Sequence, residues 1–224
     1  MSFTVGLLKR WTWTLSEWYD YITNNHPKPP SVVTNHGPAH SCLHQVEDID
    51  RETCQTLTLN APIVTALESK YGGGYVKRVI SWDGLLENVG VESIRTISEY
   101  ANQTDSHHAT DMVYARNIRH CWFRQLSASH FAENAVSLSR WTYHVSVIDV
   151  DFLDPVADFE SSTRFGVAYN VRGQCHLFMN CVACGATRFI VTIRETRGPM
   201  AFVNCTSYEG TGATVRLNYD TFMQ

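Results

Sequence analysis

The chain has 224 residues, 44% apolar and 18% charged, a balance that suits one large or two small packed domains and excludes a wholly disordered chain. Its formal net charge is −4 and its longest cationic runs are Lys9-Arg10 and Lys77-Arg78, so nucleic acid is a secondary partner class. No run reaches the roughly 18 apolar residues of a membrane span, and the N-terminus lacks a signal-peptide pattern; the expectation is a cytoplasmic protein that is not secreted.

Thr4, Leu8, Trp11, Leu15, Trp18 and Ile22 recur at steps of three and four, which predicts an amphipathic helix from about residue 4 to residue 23. Trp11, Leu15 and Trp18 on that stripe are candidate partner-binding residues, because tryptophan anchors protein contacts. Two nearby cations are too few for a lipid surface, so a protein partner is favoured. His26-Pro-Lys-Pro-Pro30 then forms a hinge, since proline restricts both itself and the residue before it. Residues 31–55 read as loop, Gln55–Leu59 and Tyr75–Trp82 as strands, and Ile63–Lys70 as a short helix stopped by Gly72-Gly73-Gly74.

From Ser106 to Leu138, Met112, Ala115, Ile118, Trp122, Leu126, Phe131, Ala135 and Leu138 step by three to five, predicting one or two helices capped near Thr104-Asp105-Ser106. After Trp141, six short β-branched or aromatic runs follow, separated by turn residues: 144–153, 164–171, 176–184, 189–195, 201–207 and 215–219. Their spacing predicts an antiparallel sheet or sandwich. The expected fold is α+β, a helical N-terminal half followed by that sheet. Residues 1–30 form the arm and hinge; residues 31–224 form one domain, helix-rich to about residue 140 and β-rich from 141.

Histidine and cysteine cluster twice, as His36, His40, Cys42 and His44 with Cys54 beyond, and as Cys175, His176, Cys181 and Cys184. Thiolate and imidazole suit zinc, but structural sites commonly use two tight pairs, and only Cys181-Val-Ala-Cys184 has that spacing. On a strand, residues three apart face opposite ways. The expectation is therefore no cofactor, with free core thiols and a polar loop; zinc at His36, His40, Cys42, His44, Cys175, Cys181 and Cys184 is the alternative. Asp149, Asp151 and Asp154 admit Mg²⁺, yet no phosphate-cradling loop accompanies them and a solvated strand face is the better reading. Seven cysteines, an odd number, argue against a complete disulfide framework.

Cys121-Trp122 followed by His176 at the head of a strand resembles the arrangement of viral papain-like cysteine proteases. That resemblance implies Cys121 as nucleophile and His176 as base, with His130 and His144 as alternative bases. A terminal Gln224 after apolar residues, only four lysines and many short strands resemble a mature product of a picorna-like viral polyprotein, which implies a capsid subunit, an eight-stranded jelly roll in those viruses, or a leader protein. The leading functional expectation is a non-enzymatic structural or interaction protein acting through self-association or protein partners, with a homo-oligomer in view. The alternatives are the cysteine protease and a zinc-stabilised binding module.

Overall fold

A computed structural model of the chain describes residues 2–7, 41–50, 56–60, 62–63, 74–78, 84–160, 165–196, 199–210 and 215–217. No described residue is helical, which overturns the expected helical N-terminal half. The chain divides into two compact units, Met1–Ile80 and Ser81–Gln224.

In the first unit, β1 (Ser2–Leu7), β2 (Ser41–Ile49), β3 (Leu57–Leu59) and β4 (Gly74–Arg78) form an antiparallel sheet in the order β3-β2-β1-β4. Thr4, the first residue of the expected helical stripe, lies in β1 between Leu43 and Lys77. Leu8, Trp11, Leu15, Trp18, Ile22 and the hinge at 26–30 lie outside the described residues.

The second unit winds through five successive coils. They comprise β5 (Leu86–Glu87), β6 (Gly90–Ile97) and β7 (Asp111–Ala115); β8 (Ile118–Arg119), β9 (Trp122–Ser129) and β10 (Asn134–Leu138); β11 (Thr142–Tyr143), β12 (Ser146–Leu153) and β13 (Val167–Gly173); β14 (His176–Met179), β15 (Val182–Cys184) and β16 (Arg188–Thr196); and β17 (Met200–Val203), β18 (Thr206–Tyr208) and β19 (Val215–Leu217). Each strand pairs in parallel with its counterpart one coil away. Trp122 lies beside Ser146 and His176 beside Met200, so a coil takes about 24 residues where no long link intervenes. The result is a parallel β-solenoid with three sheets: β5-β8-β11, a long sheet through β6, β9 and β12 to β14, β15, β17 and β18, and β7-β10-β13-β16-β19. This corrects the expected antiparallel sheet, sandwich or jelly roll. The six runs after Trp141 do carry strands, but successive strands pass to another sheet or, as in β14–β15 and β17–β18, continue along the same one past a corner, instead of folding back as hairpins.

Left-handed residues bend each coil, one stack of them inside the long sheet and a second between sheets. Ser93, Gln125, Asp149, Asn180 and Asn204 all have φ between 52° and 57°, and each follows a residue of one in-register column, Glu92, Arg124, Ile148, Met179 and Val203. Asn88, His120, His144 and Cys175 make a second stack of left-handed corners. Polar side chains tolerate this conformation better than β-branched ones, and Asn and Asp best. Side chains bond along the first stack: Ser93 Oγ donates to Gln125 Oε1, Asn180 Nδ2 to Asp149 Oδ1 and Asn204 Nδ2 to Asn180 Oδ1, each at 2.9 Å.

The same corners explain the false helix between Ser106 and Leu138. Within a strand, inward residues alternate, but a left-handed corner adds one position to the step. His120, Gln125 and His130 are such corners, so Ile118, Cys121, Phe123, Leu126, Ala128 and Phe131 reach the interior at steps of three and two. Sampled sparsely, that series imitates the helical period.

The interior is built of columns. Val91, Phe123, Val147, Phe178 and Phe202 stack in register along the long sheet, and Val136, Tyr169 and Ile190 along the third. Tyr169 is fully buried, packs edge-on against Phe178 and Phe189, and satisfies its hydroxyl by donating to the Val150 carbonyl at 2.6 Å. Gly173 sits where a β-carbon would fall 2.1 Å from the Thr142 carbonyl oxygen, at φ 87°, so only glycine lets these two backbones approach.

Candidate functional site

The histidine and cysteine residues of the solenoid mainly serve its corners. Cys121, Cys181 and Cys205 each follow a left-handed residue, His120, Asn180 and Asn204. Each thiol donates to two carbonyls: Cys121 Sγ to Arg119 (3.3 Å) and Leu86 (3.8 Å), Cys181 Sγ to Val147 and Met179 (3.5 Å each), and Cys205 Sγ to Phe178 and Val203 (3.5 Å each). Burial pushes the Cys181 thiol up to about 12, so at neutral pH it is a thiol and a donor, not a thiolate.

His176 is 2% exposed. Its Nδ1 accepts the Val145 N–H at 3.2 Å, which places the ring proton on Nε2, and Nε2 donates to the Arg172 carbonyl at 2.8 Å. Thr142 Oγ1 lies 3.3 Å from the same Nε2. Burial, helped by the neighbouring His144 and opposed by the Arg172 carbonyl, lowers its pKa to about 4. The single lone pair of the neutral imidazole is occupied by the backbone, and the hydrogen bonds of Cys121 and His176 lead to different groups.

The second metal-candidate cluster is dispersed along its coil. Cys175 is a corner, Cys181 is buried, and Cys184 closes β15 with its thiol 3.4 Å from Glu209 Oε2 and 3.8 Å from Asp154 Oδ1. Burial raises the pKa of Cys175 and Cys184, and the Glu209 carboxylate raises the latter further. In the first cluster, Cys42 and His44 lie in β2, paired with Val5 and Phe3, while His36, His40 and Cys54 lie outside the described residues. Among the described residues no group of three or more His, Cys, Asp or Glu could hold a metal ion. Asp149 belongs to the corner ladder, and Asp151 has its pKa raised by partial burial and by Asp149.

The feature that pattern reading missed is the outer face of the long sheet. Because Phe178, Val147 and Ala183 point inward and are fully buried, their neighbours point outward. On the first two coils the outer positions carry Glu92, Arg95, Trp122 and Arg124. Arg124 Nη2 lies 2.7 Å from Glu92 Oε2, and Trp122 Nε1 donates to the other oxygen of the same carboxylate. These bonds, the Arg124 contact foremost, hold Glu92 below the usual carboxylate range. On the next three coils apolar residues enter the outer positions, Ile148, Leu177, Met179, Val182, Ala201 and Val203, with Val203 47% exposed, beside the polar Ser146, Asp151 and Thr206 of the same face. The signal was present as apolar residues on both sides of the alternation, as in Leu177-Phe178-Met179, but it is indistinguishable from a doubly buried strand.

No family model matches the chain, and the searches of curated proteins and of solved structures match none either. No helix among the described residues is long and apolar enough to cross a membrane.

Proposed function

We propose that this chain is a structural or interaction protein that self-associates through the apolar half of the outer face of its long sheet. The observation that carries the reading is the adjacency of Ile148, Leu177, Met179, Val182 and Val203 on three consecutive coils, outside a core that is already closed. Covering such a strip returns about 25 cal/mol per Å² of apolar surface, and contiguous outward apolar patches mark contact sites. A second copy is the occupant of choice: two identical flat strips related by a two-fold axis match each other without needing a shaped partner. The charged coils beside the strip, with Glu92, Arg95 and Arg124, supply a solvated rim that limits stacking in register.

The decisive experiment is sedimentation of the wild type beside Met179→Asp and Val203→Asp, over concentrations on the order of 1 to 100 μM. The wild type is expected to form dimers or larger oligomers and both variants to remain monomeric with unchanged circular dichroism. A monomeric wild type across that range overturns the proposal.

A further inference from the structure

Ser98 and His108 pair a hydroxyl with an imidazole in the geometry of an activated nucleophile, and neither belongs to the apolar strip. Ser98 opens the link from β6 to β7 and is anchored by its N–H to the Ser129 carbonyl on the next coil at 3.0 Å. His108, near the end of that link, lies with Nε2 2.7 Å from the Val156 carbonyl. A carbonyl only accepts, so Nε2 carries the proton and Nδ1 of the neutral ring is a lone pair. Ser98 Oγ is 2.7 Å from that Nδ1 and donates to it.

This is the arrangement a nucleophilic serine requires: hydroxyl on base, base oriented by a third group. The link is held in place around it. Asp105 accepts the N–H groups of Ala101 (2.9 Å) and His107 (2.8 Å), Asn102 Oδ1 accepts Thr104 N–H and Oγ1–H, and Ser106 Oγ accepts the Asp158 N–H at 3.0 Å. Asp105, kept ionised by those backbone donors, also places negative charge near the imidazole. Tyr100 forms an aromatic wall, its ring 6.1 Å from His108 and 5.2 Å from His130. Ser98 is only 6% exposed, which leaves no room for a bulky acyl group.

We propose that Ser98 is a nucleophile and His108 its base, giving the chain a hydrolytic activity toward small acyl esters such as acetates. Ser98 Oγ bonds to the ester carbonyl carbon while its proton passes to His108 Nδ1, and Nε2–H stays on the Val156 carbonyl. The alcohol leaves with the proton from Nδ1. Water then attacks the acyl-serine, again through Nδ1, releasing the carboxylic acid and free Ser98.

The test is treatment of the whole chain with a fluorophosphonate, with peptide mapping of the adduct, beside turnover of p-nitrophenyl acetate. One adduct on Ser98 is expected, absent in Ser98→Ala. His108→Gln should slow both labelling and turnover by at least about 100-fold, whereas Ser127→Ala, on β9, should change neither. Thermal melting of each variant separates lost chemistry from lost fold, and the wild-type adduct decides the matter even if a variant fails to fold. No adduct on the wild type, an adduct elsewhere, or turnover that survives Ser98→Ala overturns the proposal and leaves the pair as a staple for the link.

Discussion

The first two coils of the long sheet and the last three have the same kind of interior and different exteriors. Inward, Val91 and Phe123 continue into Val147, Phe178 and Phe202. Outward, the adjoining column runs Glu92, Arg124, Ile148, Met179, Val203, from an ion pair to hydrocarbon. Coiling needs only the inner column, because that is where apolar surface leaves water. The outer column is free to vary, and its change of character midway is the best clue to what the molecule touches.

The sharpest way to break this contrast is to truncate two adjacent residues of β14. Phe178→Ala, which empties a site between Tyr169 and Phe202, should cost about 3–5 kcal/mol. Met179→Ala, one residue on and facing outward, should cost under about 1 kcal/mol. Urea denaturation of both measures the difference; equal losses would mean that the outer face is packed like a core.

Acid probes the interior through His176. His176 is neutral in the fold with a pKa of about 4, against about 6.5 in the unfolded chain. The unfolded state therefore binds its proton first as pH falls, and folded-state stability drops from pH 6.5 down to about 4, with no contribution above pH 7. The full loss is about 3 kcal/mol. Denaturation midpoints at pH 7.5, 5.5 and 4.5 should decline accordingly, and a flat profile would contradict the burial of this imidazole.

The corners give a smaller effect than the buried imidazole. Asp149→Val puts a β-branched residue at φ 54° and removes the acceptor for Asn180, so a loss of about 2 kcal/mol is expected. Asp149→Asn, which tolerates the left-handed conformation, should lie within about 0.5 kcal/mol of the wild type. If the two variants melt alike, backbone strain does not shape these corners.

Some of this architecture was legible in the residues and some was not. Runs such as 144–153 and 176–184 announce strands through alternation; the first holds β12, and the second holds β14 and β15 on either side of a corner. The stretch from Met112 to Leu138 misleads because corners at His120, Gln125 and His130 lengthen the inward step beyond two, and no glycine or proline flags them. Cys121 and His176 attracted attention as reactive types, yet each bonds a backbone group that only coiling brings near, Cys121 the Leu86 carbonyl and His176 the Val145 N–H. Ser98 and His108 stood in no motif, since they lie ten positions apart and the carbonyl that orients the ring belongs to Val156.

By itself the sequence determined that residues 141–224 would be rich in strands, with enough apolar residues to close a core. Alternation is a local property, and β-branched and aromatic residues express it wherever they stand. Only the tertiary structure decided that the strands pair in parallel, which thiols cap corners, and that an apolar strip faces outward. An inward-outward pattern reads the same whether the neighbouring strand runs up or down. Direction is decided by where each corner sends the chain next.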